Sequence, residues 1–302
     1  MRHALNVLAD ELRRLKTAGV KHVAVSDEAI ATLRRVIAGK KAKGEERCEK
    51  PEPLKPALMV SAPAVPLPHL PSPISHLLPT APAVSLPPGD KATRWAALLD
   101  LVTNDATCRA NVRPGKKIVL GVGSVDAKIM FVGEAPGAEE EIQGEPFVGP
   151  AGQLLTKMIQ AMGLKRADVY IGNIMNWRPQ MPTVDGREQA GNRPPTEAEM
   201  RYCLPYLRAQ IEVVTPDVLV ALGKTAAEGL IGFRTVKSLG EIRGQWRDFG
   251  GKSLMVTYHP SYLLRPPVDN RKKRIVWEDL LKVMERAALP ISEKQRGFFL
   301  DK

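Results

Sequence analysis

The side chains best suited to chemistry in this 302-residue chain stand in three groups that are far apart in the sequence. The first is the run Gly133-Glu134-Ala135-Pro136-Gly137, the second is Asn173, and the third is the run from His259 to Arg265. They supply a carboxylate, an amide that both donates and accepts hydrogen bonds, and an imidazole, all of which bind or activate polar ligands. His259 is the only histidine after residue 90, which favours a functional role for it over a structural one.

The strands and helices predicted around these groups indicate how the fold brings the groups together. Buried strands are predicted over residues 127–132, 169–174, 217–222 and 253–257, and helices over residues 151–162, 196–214, 225–231 and 270–287. Strands separated by helices pair in parallel through right-handed crossovers, so the sequence predicts an α/β fold. Each polar group lies at the carboxyl end of a predicted strand, where parallel sheets bind their ligands, and we therefore expect one active site.

Composition narrows the choice of partner and compartment. Lys and Arg number 44 against 33 Asp and Glu, and the formal charge of +11 favours a polyanion such as nucleic acid or an anionic membrane surface. The chain has no run of about 18 apolar residues that would span a bilayer. Its three cysteines are too few and too scattered for a disulfide framework, so we expect a cytoplasmic protein.

The chain before residue 91 differs in composition from the rest. Residues 1–39 have the pattern of a small N-terminal α-β-α unit, which is either a docking module for a protein partner or a weakly folded appendage. From Pro51 to Asp90 the chain holds 12 of its 26 prolines, so residues 40–90 are predicted to be a Pro-rich, disordered linker. We predict the catalytic domain at residues 91–290 and a C-terminal tail at residues 291–302.

Five segments resemble, in order and spacing, the motifs of family 4 uracil-DNA glycosylases. They are GEAPGAEEEIQGEPFVGPAGQLL from Gly133, YIGN from Tyr170, GNRPPTEAEMRYC from Gly191, the strand Pro216 to Gly223, and YHPSYLLR from Tyr258. The resemblance implies a three-layer α/β/α sandwich on a four-stranded parallel sheet. It also implies a monofunctional enzyme of base-excision repair, whose partner is uracil-containing DNA, double- or single-stranded, and which we expect to be a monomer.

The resemblance implies how the base would be held. An enzyme that acts on a base flips it out of the duplex, stacks it and reads its edge by hydrogen bonds. Phe147 would be the stacking platform, with Gly133 and Ala135 beside it. The amide of Asn173 would pair with O4 and N3–H of uracil, a pattern that cytosine reverses. The alternatives are that Phe147 is a plain core residue and that Asn173 only caps a loop.

The resemblance also implies catalytic roles. Cleavage passes through a sugar with oxocarbenium character and a uracil anion, so the site needs a carboxylate on one side and a donor on the other. By family position Glu134 is the carboxylate, which orients water or stabilises the cation, and His259 is the donor to the departing base. Glu140 is the reserve candidate for activating water, and the alternative for the run Glu139 to Glu141 is a solvated face.

The segment after His259 is predicted to contact DNA. Leu263 and Leu264 are suited to fill the gap that a flipped base leaves, while Ser261 and Arg265 hold phosphate. Arg193 is a further phosphate candidate.

Family 4 enzymes hold a [4Fe-4S] cluster on four cysteines, and this chain departs from that pattern. Cys108 and Cys203 match two of the ligand positions, whereas Asp105 and Trp177 stand at the other two. Because tryptophan does not ligate iron, we expect no cofactor and no metal site, and we expect the indole of Trp177 to fill the volume of the cluster.

Two other functions stay open at this point. One is a protein that binds damaged DNA with little or no catalysis, which the loss of the cluster favours. The other is a glycosylase for another deaminated or oxidised base, such as hypoxanthine or 5-hydroxymethyluracil.

Overall fold

The computed structural model of the protein describes residues 78–181, 189–267 and 269–300. The α-β-α unit predicted at residues 1–39 and the first part of the predicted linker, residues 40–77, lie outside these described residues. Both therefore stay predictions.

A mixed sheet of six strands forms the centre of the described part. The strands are β1 Val122–Gly123, β2 Ile129–Gly133, β3 Tyr170–Asn173, β4 Val218–Leu222, β5 Trp246–Phe249 and β6 Lys252–Thr257. Their order across the sheet is β1-β3-β2-β4-β6-β5. The four central strands are parallel neighbours, as the sequence predicts. The short strands β1 and β5 add antiparallel pairing at the two edges, which the sequence did not predict.

Helices cover both faces of this sheet. Those in the described part are α1 Lys91–Asn104, α2 Ala106–Ala110, α3 Ala138–Gln143, α4 Pro150–Ala161, α5 Glu197–Val214, α6 Lys224–Ile231, α7 Leu239–Ile242, α8 Pro260–Leu263, α9 Asn270–Arg286 and α10 Glu293–Arg296. Alternate strand residues face opposite sides. Met130 and Val132 pack with α1, α5 and α6, while Ile129 and Phe131 pack with α4 and α9. The three-layer α/β/α sandwich is confirmed.

At both ends of the catalytic domain predicted at residues 91–290, residues outside these bounds contact it. Residues 78–90, the last part of the predicted linker, form no helix or strand, yet Leu78, Val84 and Leu86 pack against the core. At the other end, the indole N–H of Trp277 donates to the backbone oxygen of Gln295 at 2.6 Å. The described part of the predicted C-terminal tail, residues 291–300, thus contacts the domain through Gln295.

None of the helices in the described part is both long enough and apolar enough to cross a membrane.

Candidate active site

A cavity of about 700 Å³ opens at the carboxyl edge of the sheet. Each of the four parallel strands brings a side chain to its wall: Glu134 follows β2, Asn173 ends β3, Lys224 lies just after β4, and His259 lies just after β6. The volume falls within the range of roughly 300–1,000 Å³ that is usual for small-molecule sites. The three groups of the sequence therefore meet in one cavity.

His259 is held as a neutral ring whose free donor is Nε2. The backbone N–H of Ser261 donates to Nδ1 at 3.2 Å, and the Ser261 hydroxyl lies 2.8 Å from the same nitrogen. Burial, with a contribution from the charge of Arg265, lowers the pKa of His259 to about 4. Because Nδ1 accepts, the single proton of the neutral ring belongs on Nε2. Ser261, predicted to contact phosphate, orients the imidazole here.

Glu134 supplies a carboxylate in a partly desolvated place. Burial raises the pKa of Glu134, and a hydrogen bond with Thr225 acts in the opposite direction. The backbone oxygen of Glu134 accepts from the N–H of Met175 at 3.1 Å, which fixes the segment after β2 to the segment after β3. Glu134 is thus positioned by β2 and by the segment that follows β3, the strand that ends in Asn173.

Asn173 presents a buried acceptor that has no partner. The residue is 5% exposed, and its Oδ1 atom forms no hydrogen bond with any residue that the structure describes. A buried polar atom left unpaired costs about 1–3 kcal/mol, so its place in the cavity wall indicates an acceptor kept for a ligand. Gly133 makes room for it, because a Cβ atom at Gly133 would lie 2.4 Å from Oδ1 of Asn173 and 2.4 Å from Cζ of Phe147. Gly133 itself does not line the cavity, whereas Ala135 does.

Phe147 has an unusual backbone conformation that its surroundings enforce. Its φ of 55° lies in the left-handed region, which costs a non-glycine residue of order 1–3 kcal/mol. On one side of it, Arg166 donates to the backbone oxygen of Pro146 at 2.6 Å. On the other side, Oε1 of Glu140 accepts the N–H groups of Val148 at 3.0 Å and Gly149 at 2.9 Å. We define these contacts as the Phe147 clamp.

This clamp corrects the reserve role predicted for Glu140. Its second oxygen, Oε2, accepts the N–H of Gly137 at 3.0 Å, so both carboxylate oxygens are used by the backbone. Neither oxygen is therefore free to hold a water molecule for the reaction. Glu140 therefore acts as a positioning residue, although it lines the cavity.

The ring of Phe147 forms part of the cavity wall beside His259. It is 6% exposed, and its centroid lies 5.5 Å from that of His259 with 31° between the planes. The helix α4 comes close to it, since a Cβ atom at Gly152 would lie 1.9 Å from the Phe147 carbonyl carbon. The ring is fixed in place before any ligand binds.

Arg193 is occupied within the protein, which corrects its predicted phosphate contact. Its guanidinium donates to both oxygens of Glu199, at 2.8 and 2.6 Å, and to the backbone oxygen of Gln180 at 2.7 Å. Glu199 also closes the capping box that begins α5, because its carboxylate accepts the N–H of Thr196 at 2.7 Å. Arg193 thus ties the segment before α5 to the cavity wall.

The leucine pair after His259 is divided between the core and the surface. Leu263 is 6% exposed and packs in the core with α4 and α9, so the prediction that it enters DNA is wrong. Leu264 is 44% exposed, and the neighbouring Arg265 is exposed at the rim of the cavity. Their roles as wedge and phosphate contact stay predictions.

Sequence reasoning missed several residues of this wall. Lys224 and Thr225 follow the strand predicted at 217–222, so the rule that selected the other groups would have selected them. Tyr258 and Tyr262 also line the cavity and stack on each other, with centroids 4.4 Å apart. Arg166 gave no signal, because its contact with Pro146 depends on tertiary structure.

The positions that match the family's cluster ligands are filled by another arrangement. The Asp105 carboxylate accepts the hydroxyls of Tyr202 at 2.8 Å and Tyr206 at 3.0 Å, and the backbone N–H of Cys108 at 2.6 Å. Trp177 is 1% exposed and packs near Tyr202, with ring centroids 6.0 Å apart. Here α1 and α2 are joined to α5 by hydrogen bonds and aromatic packing.

These residues do not fit a [4Fe-4S] cluster. Such a cluster needs four thiolates, whereas Trp177 fills one ligand position and Asp105 is committed to tyrosine hydroxyls. Burial raises the pKa of both Cys108 and Cys203, which disfavours the thiolate form. Among the described residues, no three His, Cys, Asp or Glu side chains are grouped so that they could hold a metal ion.

Comparisons with known proteins agree with this geometry. The family model of the uracil DNA glycosylase superfamily matches residues 120–281, which include every cavity side chain named above. A type-4 uracil-DNA glycosylase of Thermotoga maritima is 45% identical over 166 residues, covering 55% of this chain and 80% of the relative. One of Saccharolobus solfataricus is 40% identical over 178 residues, covering 56% and 76%. One of Pyrobaculum aerophilum is 39% identical over 176 residues, covering 56% and 84%.

Proposed function

The chain belongs to the uracil DNA glycosylase superfamily, and from this premise we propose that it removes uracil from DNA by hydrolysing the N-glycosidic bond, as a monofunctional enzyme of base-excision repair. The observation that carries the proposal is the unpartnered Oδ1 of Asn173, buried beside the fixed ring of Phe147. A flipped uracil on that ring would offer its N3–H to Oδ1 and its O4 to the amide N–H.

The chemistry divides between two side chains. As the bond between C1′ and N1 breaks, its electron pair moves onto uracil, and the Nε2–H of His259 stabilises the growing charge by a hydrogen bond. His259 stays neutral in this step, because its lowered pKa disfavours the imidazolium. The carboxylate of Glu134 stabilises the cationic sugar and orients the water whose oxygen bonds to C1′. A proton from that water passes to the carboxylate or to solvent, which leaves an abasic site. The uracil anion then takes a proton from solvent and becomes free uracil.

The remaining parts of the proposal concern setting and partners. We propose DNA as the only partner needed for activity, with Leu264 and Arg265 on the duplex, a monomer as the active form and the cytoplasm as the location. Residues 1–39 are proposed as the contact for a protein partner. No cofactor takes part, because the residues at the cluster positions do not fit one.

The test measures single-turnover release of bases from DNA that carries one uracil, hypoxanthine or 5-hydroxymethyluracil, with alkali cleavage of the abasic product. We expect uracil to be the preferred base. Glu134→Gln and His259→Ala should each slow its release by ~10² or more while DNA binding persists, because both groups act on the transition state. Glu212→Gln, a matched change of a carboxylate that is 69% exposed near the end of α5, should have no effect. Binding without release by the wild type would refute the catalytic proposal.

A further inference from the structure

A second cleft, of about 470 Å³, lies outside the active site and is lined mainly by basic side chains. Its walls carry Arg109, Arg113, Lys116 and Lys117, with the apolar side chains of Val112 and Ile118 between them. Among the residues that the structure describes, none that lines it is acidic. We call it the basic cleft.

The basic cleft keeps its positive charge. Among the described residues, neither Arg109 nor Lys117 nor Arg113 forms an ion pair with a carboxylate, and Arg109 and Lys117 are exposed. The partners of Arg113 within the described ranges are uncharged, since it donates to the side-chain oxygen of Gln189 and to the backbone oxygen of Met181. Lys117 donates to the backbone oxygen of Gln143 at 3.3 Å. Because these partners are neutral oxygens, Arg113 and Lys117 keep a full positive charge that is available to a ligand.

The basic cleft lies on the same edge of the sheet as the active site. The N–H of Val119 donates to the backbone oxygen of Asn176 at 2.8 Å, three residues beyond the end of β3. The N–H of Lys117 donates to the backbone oxygen of Glu141 at 2.7 Å, in the helix α3 whose start lines the active site. The cleft therefore flanks the cavity on the β3 side, whereas Leu264 and Arg265 flank it on the β6 side.

The acidic run of α3 does not cancel this charge. Glu141 is 5% exposed and forms an ion pair with Arg178 at 2.7 Å. Glu140 is committed to the Phe147 clamp, so of the three glutamates only Glu139 is exposed.

We propose that the basic cleft binds the phosphodiester backbone of DNA on one side of the flipped nucleotide, as a second anchor opposite the Leu264–Arg265 loop. The proposal rests on the proposed function for the position of the flipped base. A helix of six residues such as α3 is about 9 Å long, and DNA rises 3.4 Å per base pair, so the contacted phosphates lie beyond about three base pairs from the uracil. Phosphate contacts of this kind fix the position of the protein on DNA and carry no sequence information.

The experiment uses the full chain and duplexes with one uracil placed asymmetrically. Flanks of about 3 base pairs are too short to reach the cleft, and flanks of about 12 are long enough, given the 3.4 Å rise. Affinity is measured by fluorescence anisotropy, and uracil release is measured on the same duplexes. In the wild type, lengthening the flank that faces the cleft should tighten binding by ~10-fold or more.

In the variant Arg109→Glu/Lys117→Glu, lengthening the flank that faces the cleft should no longer tighten binding, while the effect of the other flank stays as in the wild type. The milder variant Arg109→Gln/Lys117→Gln should lose part of the gain. The slope of log affinity against log salt should fall by about 2 for two lost phosphate contacts. Lys128→Glu is the matched control, because Lys128 is exposed just before β2, at the opposite edge of the sheet. It should keep the gain and the slope.

The outcomes separate this proposal from the proposed function. A charge-reversed variant that folds as the wild type does and keeps the gain on both flanks would overturn the proposal. Loss of affinity for both flanks alike would also overturn it, because the cleft would then act through net charge and not as an anchor on one side. A flank-dependent gain without release of uracil would support the cleft and refute the catalytic proposal.

Discussion

The Nδ1 atom of His259 lies 3.2 Å from the backbone nitrogen of Ser261, which donates its hydrogen to it. Because Nδ1 accepts this hydrogen bond, the proton of the neutral ring is on Nε2, which is the donor in the cavity. The backbone donor fixes the tautomer, and the lowered pKa of His259 keeps the ring neutral.

The first prediction concerns the pH dependence of uracil release. Since the pKa of His259 is lowered to about 4, the ring is neutral above pH 5 and no inflection should occur near its usual value of 6.5. Glu134 works as the carboxylate, and burial raises its pKa, so the rate should fall with acidity at a higher pH than for an ordinary glutamate. Single-turnover rates measured across the pH range should show this one decrease at acidic pH in the wild type. The variant Glu134→Gln should not show it.

The control for this prediction is Ser261→Ala, which removes the hydroxyl but keeps the backbone donor to Nδ1. We expect it to slow release by less than ~10-fold, against ~10² or more for His259→Ala. An inflection near pH 6.5 in the wild type that His259→Ala removes would contradict the neutral imidazole.

The second prediction concerns recognition of the base by Asn173. In Asn173→Asp a carboxylate replaces an amide that is 5% exposed, so the donor to uracil O4 is lost and a charge is buried. Uracil release should fall by ~10³ or more, while release of cytosine, whose amino group suits an acceptor, becomes measurable. Rates on matched duplexes with uracil or cytosine test this. Asn104→Asp, an exposed position in α1, is the control and should change neither rate.

The central part of the fold was predictable from sequence, and its edges were not. The four parallel strands carry runs of buried apolar residues such as Ile129 to Val132, and this pattern depends only on local sequence. The two edge strands lack such runs. Trp246–Phe249 has mixed burial and joins β6 by a two-residue hairpin turn at Gly250-Gly251, while Val122–Gly123 is only two residues long and pairs with β3, which is distant in the sequence. They therefore gave no periodic signal.

The residues of the candidate site likewise fall into those that were predictable from sequence and those that were not. Glu134, Asn173 and His259 were found because each follows a strand, which fixes the position of its backbone. Arg193 and Glu140 were misjudged because their charges are used by Glu199 and by backbone N–H groups, which only the tertiary structure shows. Leu263 and Leu264 are adjacent in sequence, and only the direction of α8 decides which of them is buried.

The third prediction is that Glu140 acts through Phe147. Glu140→Ala removes the acceptor of three backbone N–H groups, so Phe147 should leave its left-handed conformation and uracil release should fall by ~10². Phe147→Ala should cost a similar factor. If the two act as one unit, the double variant should be no slower than Phe147→Ala, and a double-mutant cycle measures this coupling.

Glu139→Ala is the matched control, because Glu139 is the exposed neighbour in the same helix. Additive effects of Glu140→Ala and Phe147→Ala would show instead that Glu140 takes part in the reaction separately.

The fourth prediction concerns the start of the domain. Leu78, Val84 and Leu86 pack against the core, so a chain that begins at Gly89 loses three apolar contacts. At about 1 kcal/mol for each partly buried side chain, its free energy of unfolding should fall by roughly 2–4 kcal/mol relative to a chain that begins at Pro73. Urea unfolding of the two shortened chains tests this. Equal stabilities would show that residues 78–88 contribute nothing to the core.

The last prediction is that the purified protein contains no [4Fe-4S] cluster and that Asp105 replaces part of its structural role. Anaerobic purification followed by iron analysis should give far less than one iron per chain, without the broad visible absorbance of such a cluster. Burial opposes ionisation of Asp105, but hydrogen bonds from the backbone N–H of Cys108 and the hydroxyls of Tyr202 and Tyr206 give it a pKa below the usual 3.8.

A lowered pKa means that the carboxylate stabilises the fold at pH values above its unfolded pKa and loses that contribution as the pH falls towards the folded pKa. Asp105→Asn should therefore lower the free energy of unfolding by about 1–3 kcal/mol at pH 7, and the difference should shrink below about pH 4. Tyr206→Phe, which removes one of the donors, should cost less. Near-stoichiometric iron in the wild type, or an Asp105→Asn variant as stable as the wild type at pH 7, would contradict this replacement.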